Sequence, residues 1–317
     1  MSDQPLISRE FPARFSDPER TLDGSRRARV SLSRLETLWI NTGTLCNLTC
    51  ENCYIESSPR NDRLSYISRA EVAGYLAELE TLGHDTRTIG FTGGEPFMNP
   101  EFIGMLEDSL EAGYEVLILS NAMKPMTKCR EPLLALQRRH PRAMQIRVSM
   151  DHFRRELHEQ ERGPRSWQPM LDGVRWLSDR GFRLSVAGRT RWGEQEPALR
   201  QGYAALFAAE GIAVDADDPQ TLVLFPEMDA SAEVPEITEA CWDILGVEPV
   251  QMMCAGSRMV VKRRGAAAPA VVACTLLPYD GRFELGRRLS DSFDPVPLNH
   301  PHCARFCVLG GGSCSTG

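Results

Sequence analysis

Cys46-Asn47-Leu48-Thr49-Cys50-Glu51-Asn52-Cys53-Tyr54 follows closely on the apolar, strand-like run Thr37-Leu38-Trp39-Ile40-Asn41, and the rest of the chain is organised around it. Its three cysteines are spaced C-x3-C-x2-C. Thiolates this close in sequence can converge on one metal centre, and thiolate is the ligand type that iron–sulfur clusters and zinc select. The missing fourth ligand is informative. A structural zinc or cluster site is normally closed by four protein ligands, whereas a site one ligand short keeps a coordination position for something that reacts.

Downstream, strand-like and helix-like stretches alternate. Ser68-Arg69-Ala70-Glu71 has capping-box spacing and opens a helix over residues 69–82. Arg87-Thr88-Ile89-Gly90-Phe91-Thr92 reads as a buried strand that ends at Gly93-Gly94-Glu95-Pro96, and Asn99-Pro100-Glu101 starts the next helix. Further strands are expected at 115–119, 145–150, 182–187 and 221–225, with helices over 167–180 and 198–210. Such alternation argues for parallel β/α units, whose ligands gather at the carboxyl ends of the strands. Periodicity alone leaves open a closed barrel or an open sheet.

C-x3-C-x2-C after a first strand resembles the cluster-binding loop of the radical S-adenosylmethionine (radical SAM) enzymes. The resemblance implies an α/β fold, a partial (β/α)6 TIM-like barrel spanning residues 37–228. It also implies a [4Fe-4S] cluster on Cys46, Cys50 and Cys53, with SAM chelating the fourth iron and reductively cleaved to a 5′-deoxyadenosyl radical. An external one-electron reductant such as flavodoxin or ferredoxin is then the expected partner. The residue before the third cysteine, usually aromatic or hydrophobic in the family, is Asn52 here.

About forty residues past the cysteines, Gly93-Gly94-Glu95-Pro96 resembles the family's GGEP motif, which holds the methionyl amine of SAM; its glycines also let a ligand approach the backbone closely. Ser120, Asn121, Ser149 and Asp151 follow the next two strands and match positions that bind the SAM ribose and carboxylate, although each also suits an ordinary helix cap. Arg189 sits where relatives place a basic residue on the SAM carboxylate, a contact arginine makes in bidentate fashion, and Arg191 is equally available. The run Asp151-His152-Phe153-Arg154-Arg155-Glu156-Leu157-His158 reads as a solvated loop or as a source of a catalytic acid or base. No catalytic residue is assigned.

From about residue 229 to 317 the composition changes. Prolines interrupt and cysteines become dense: Cys241, Cys254, Cys274, Cys303, Cys307 and Cys314. Residues 259–262 and 271–274 read as a β-hairpin with Cys254 and Cys274 at its ends. Four thiolates suit a closed zinc or a fully ligated cluster. The arrangement resembles the shortened SPASM, or twitch, extension of radical SAM enzymes, a small cysteine-rich β-hairpin and helix unit. That implies one auxiliary [4Fe-4S] cluster on Cys254, Cys274, Cys303 and Cys307, with Cys314 as an alternative ligand. Cys129 and Cys241 are left as isolated thiols.

The whole chain of 317 residues, 42% hydrophobic and 25% charged, has the composition of an ordinary soluble protein. A net charge of −7 argues against a nucleic-acid substrate. Met1-Ser2-Asp3-Gln4-Pro5 opens no signal-type apolar run and no membrane span is evident, so a cytoplasmic location is expected, where ten cysteines serve as ligands or core residues rather than disulfides. Residues 1–36 read as a polar, arginine-rich, solvated arm, too short for a peptide-binding domain. That tilts the expected substrate toward a small molecule or one delivered by another protein, with a ribosomal precursor peptide as the alternative. A non-enzymatic electron-transfer or zinc-stapled protein is the reading from another class.

Overall fold

The computed structural model describes residues 14–83, 85–227 and 233–312. A two-residue strand, β1 (Arg29–Val30), precedes β2 (Thr37–Asn41). Then follow α1 (Arg69–Leu82), β3 (Thr88–Thr92), α2 (Phe102–Glu111), β4 (Glu115–Ser120), α3 (Lys124–Thr127), α4 (Arg130–Arg139) and β5 (Met144–Ser149). The series continues with α5 (Arg155–Arg162), α6 (Trp167–Asp179), β6 (Arg183–Arg189), α7 (Glu196–Glu210) and β7 (Leu222–Phe225).

Local chemistry explains these boundaries. Ser68 caps α1 through the Glu71 amide while the Glu71 carboxylate accepts from the Ser68 amide at 2.8 Å, and Gly83 ends the helix in the left-handed conformation at φ 62°. β2 is buried along its full length, as a strand covered on both faces must be.

Strands β2 to β7 lie side by side in chain order, every pair parallel. Strand order that follows chain order is the winding of a barrel, not of a doubly wound sheet. The barrel is partial. Its first edge is extended by β8 (Ser257–Val261), parallel to β2, and then by β9 (Ala270–Val272) and β10 (Glu284–Gly286), both antiparallel. The C-terminal segment therefore carries the expected hairpin, yet that hairpin belongs to the same sheet as the barrel.

One face of the sheet packs on the helices through Leu38, Ile40, Ile89, Val116 and Val148. On the other face Trp39 and Leu117 join Ala28, Val30, Met259 and Phe306 in a second core. Here the structure differs, over residues 14–36, from the solvated arm expected for residues 1–36, of which residues 1–13 lie outside the described residues. Ala28, Val30 and Leu35 are fully buried, β1 pairs with β11 (Val296–Pro297), and the buried Arg27 pairs with Glu236 at 2.5 Å. Arginines spaced through the segment masked the few apolar residues that anchor it.

Candidate functional site

A cleft with about 1090 Å³ of empty space, part of it open to solvent, lies at the carboxyl ends of the parallel strands. Cys46, Cys50 and Cys53 line it together with Gly93, Gly94, Ser120, Asn121, Ser149, Asp151 and Arg189. The loops after five strands thus converge on one wall of thiols.

The Gly93-Gly94 turn is packed against the loop that leads to Cys46. The Gly94 amide donates to the Gly43 carbonyl at 2.8 Å and the Glu95 amide to Leu45 at 3.1 Å. A Cβ on Gly94 would lie 2.2 Å from the Leu45 carbonyl oxygen, and Gly93 takes φ +136°. Both glycines are demanded by this backbone contact.

Glu95 and Pro96 do not line the cleft. The Glu95 carboxylate is buried behind it, accepting from Ser120 Oγ and from the Asn121 amide, both at 2.9 Å. Burial raises its carboxyl to about 7, against those donors. It thereby sets the turn from which Asn121 Nδ2 reaches Asn47 Oδ1 in the cysteine loop, at 3.0 Å.

Burial pushes the Cys46 thiol up to about 12, Glu95 adding to the effect, and raises Cys50 while Arg162 opposes. Arg162, from the last turn of α5, went unnoticed in the sequence. It lines the cleft and pairs with Asp151. Burial alone would raise the Asp151 carboxyl, but Arg162 and then Arg189, whose Nε lies 3.3 Å away, hold it low. Arg189 Nη2 also donates to the Asn52 carbonyl at 3.1 Å. Arg191 instead pairs with the buried Glu161 and with Glu51. Of the two arginines, Arg189 is the one on the cleft wall.

The run from Asp151 to His158 is not a solvated loop. His152, His158 and Asp151 are buried, and α5 begins at Arg155. Arg147, Phe225, Leu276 and Phe306 complete the lining. Arg147 lies within β5, Phe225 ends β7, and Leu276 and Phe306 are on the C-terminal segment, where no local motif marks them. A signal for Arg162 did exist: a carboxylate at a buried strand end requires a cation.

Cys254, Cys274, Cys303 and Cys307 line a second cavity of about 400 Å³ with Met253, Leu277 and Phe283. Cys254 precedes β8 and Cys274 follows β9, so the antiparallel hairpin brings them to its open end, while Cys303 and Cys307 share one π-helical turn, Cys303–Val308. Cys314 lies outside the described residues. Among the described residues no three potential ligands converge on a single point. No disulfide joins the described cysteines. Leu276 touches both cavities.

Residues 40–190 match the Radical SAM superfamily family model. Over 143 residues the chain is 29% identical to the antilisterial bacteriocin subtilosin biosynthesis protein AlbA of Bacillus subtilis (strain 168), an alignment spanning 45% of this chain and 30% of AlbA. Its fold resembles Streptococcus suis SuiB bound to precursor peptide SuiA, with TM-score 0.57, 12% identity, and 83% of this chain and 66% of that one covered. It also resembles native anSMEcpe with bound AdoMet, with TM-score 0.57, 13% identity, and 83% and 81% covered. The chain spans less than two thirds of the length of AlbA or SuiB. No described helix is long and apolar enough to cross a membrane.

Proposed function

The chain is a radical SAM superfamily member through residues 40–190, and from that premise we propose that it is an enzyme that modifies a peptide or protein side chain by hydrogen abstraction. The observation that carries this reading is the meeting of Cys46, Cys50 and Cys53 with Ser120, Asn121, Ser149, Asp151 and Arg189 in one cleft. Three thiols with no fourth described cysteine beside them fit a cluster that leaves one iron for SAM. When bound, that pair supplies reductive cleavage of SAM to a 5′-deoxyadenosyl radical; the protein supplies binding, orientation and electrostatics.

Arg162 and Arg189 bring positive charge to the wall beside the thiols. Leu119, Phe225, Leu276 and Phe306 supply apolar walls that exclude water from a reactive intermediate. A peptide substrate is favoured over the small molecule expected from the short N-terminal segment, because AlbA is a bacteriocin biosynthesis protein and SuiB has been captured with a precursor peptide. The second cavity, ringed by Cys254, Cys274, Cys303 and Cys307, is read as the site of an auxiliary [4Fe-4S] cluster. Its thiols surround a space rather than a point, which suits a cluster better than a single zinc held at about 2.3 Å.

Anaerobic reconstitution with iron and sulfide, then dithionite and SAM, should yield 5′-deoxyadenosine and about eight iron and eight sulfide per chain. Replacing Cys46, Cys50 and Cys53 by alanine should abolish SAM cleavage and leave about half the iron. A fully loaded chain that forms no 5′-deoxyadenosine would refute the radical reading. Loading near four iron would remove the auxiliary cluster.

A further inference from the structure

Arg258 is among the largest fully buried side chains, 1% exposed, on β8, the strand that follows Cys254. Its Nε donates to the Ser292 carbonyl at 2.8 Å, and its Nη1 donates to the carbonyls of Cys254 at 2.6 Å and Ser257 at 2.8 Å. Its Nη2 is buried with no hydrogen-bond partner among the described residues. The titratable groups that act on the guanidinium are the thiols of Cys254 and Cys274.

Buried cations are normally paired with anions, because an isolated charge in the interior costs several kcal/mol. Arg27 and Arg162 follow this rule, the first with Glu236 and the second with Asp151. Among the described residues Arg258 has carbonyls alone. Arg282, a second cation that acts on Cys303, is already held by both oxygens of Asp280. The remaining walls of the second cavity are largely apolar, among them Met252, Leu277 and Val296. A cluster held by four thiolates is net anionic, and one-electron reduction makes it more so.

We propose that Arg258 is the charge partner of the auxiliary cluster held by Cys254, Cys274, Cys303 and Cys307, and that it raises the reduction potential of that cluster so that it accepts an electron more readily. The proposal rests on the auxiliary-cluster reading above. Net charge and hydrogen bonds to the sulfurs are the recognised levers on such potentials. A cation near a cluster stabilises its reduced, more negative state.

The test uses the full chain with Cys46, Cys50 and Cys53 replaced by alanine, so that the C-terminal cluster alone gives an EPR signal during a dithionite titration. Arg258→Gln should lower the midpoint potential by at least 59 mV, a tenfold fall in the ratio of reduced to oxidised cluster at fixed potential, and Arg258→Lys should restore most of it. An unchanged potential in Arg258→Gln with full iron loading would overturn the role of Arg258 while leaving the cluster standing. So would an equal loss in both variants, which marks a packing role. A parent chain that binds no iron–sulfur cluster overturns both readings. Should Arg258→Gln not fold, pulsed EPR of the reduced cluster in the parent labelled with 15N-guanidinium arginine decides. Nitrogen coupling that disappears in Arg258→Lys is expected, and its absence from the parent sinks the proposal.

Discussion

His158 carries an unresolved tension at the scale of one residue. It is fully buried, neither ring nitrogen has a hydrogen-bond partner among the described residues, and its ring meets Trp167 edge-on at 5.5 Å. Burial, followed by the nearby Arg162, pushes the imidazole from 6.5 down to about 4. A neutral imidazole always presents one N–H, and leaving such a donor unsatisfied in the interior costs about 1–3 kcal/mol. His158→Leu, similar in size and free of polar atoms, should therefore stabilise the metal-free chain by that amount in urea unfolding at neutral pH. The pH dependence has a defined sign. With the folded value depressed, the neutral ring is the favoured folded form, so stability present above 6.5 is lost as pH falls toward 4. His158→Leu should flatten that acid limb, and a variant less stable than the parent at every pH would contradict this account. The residue was visible in the sequence as a candidate acid or base. What could not be read there was that neither ring nitrogen meets a polar partner among the described residues, because the absence of a partner is a property of packing.

At the scale of the element, α5 is where sequence reading and structure part. Arg155–Arg162 has no apolar stripe, so periodicity gave no reason to bury it. Ion pairing buries it instead. Glu161, fully buried near the end of α5, accepts from the Asn52 amide at 2.9 Å and from Asn52 Nδ2 at 3.0 Å, and pairs with Arg191. The Glu51 amide donates to the Glu161 carbonyl at 2.8 Å. Asn52, the residue that departs from the family's aromatic, is thus the handle by which α5 grips the loop between Cys50 and Cys53. The strands, by contrast, were legible within one or two residues, since each of β2 to β7 carries Ile, Leu, Val or Phe in a short stretch set between helix-like segments. Removing one member of a buried ion pair typically costs about 3–5 kcal/mol. Glu161→Ala should lose that much stability and speed hydrogen exchange at the amides of Glu51 and Asn52, while α7 keeps its protection. Unchanged exchange at those two amides would show that α5 does not fix the loop.

For the molecule as a whole, the change in composition near residue 229 invited a boundary between two units, and the sheet runs across it. β8 pairs with β2 in register from Thr37 opposite Ser257 to Ile40 opposite Val260. Trp39, fully buried on that strand, shares its core with Met259, Ala273 and Phe306, all from beyond the supposed boundary. The N-terminal segment is tied to the same region, since the Ala28 amide donates to Ile237 at 2.9 Å and Arg27 loses its anion without Glu236. Prolines and cysteines in that region mark irregular backbone and metal chemistry, neither of which reveals which strand a later strand will join. Cutting the chain after residue 227 would strip both Leu276 and Phe306 from the cleft, open a strand edge along β2, and uncover large apolar side chains whose burial is each worth about 1.5–3 kcal/mol. The sum of a few such losses exceeds the roughly 5–15 kcal/mol by which a typical domain is stable. A chain of residues 1–227 should accordingly be aggregated or molten, with dye binding and a broad elution profile, even though it contains the whole span that matches the superfamily. A monomeric, cooperatively unfolding fragment would show instead that the barrel stands alone and that the C-terminal segment is an appended unit.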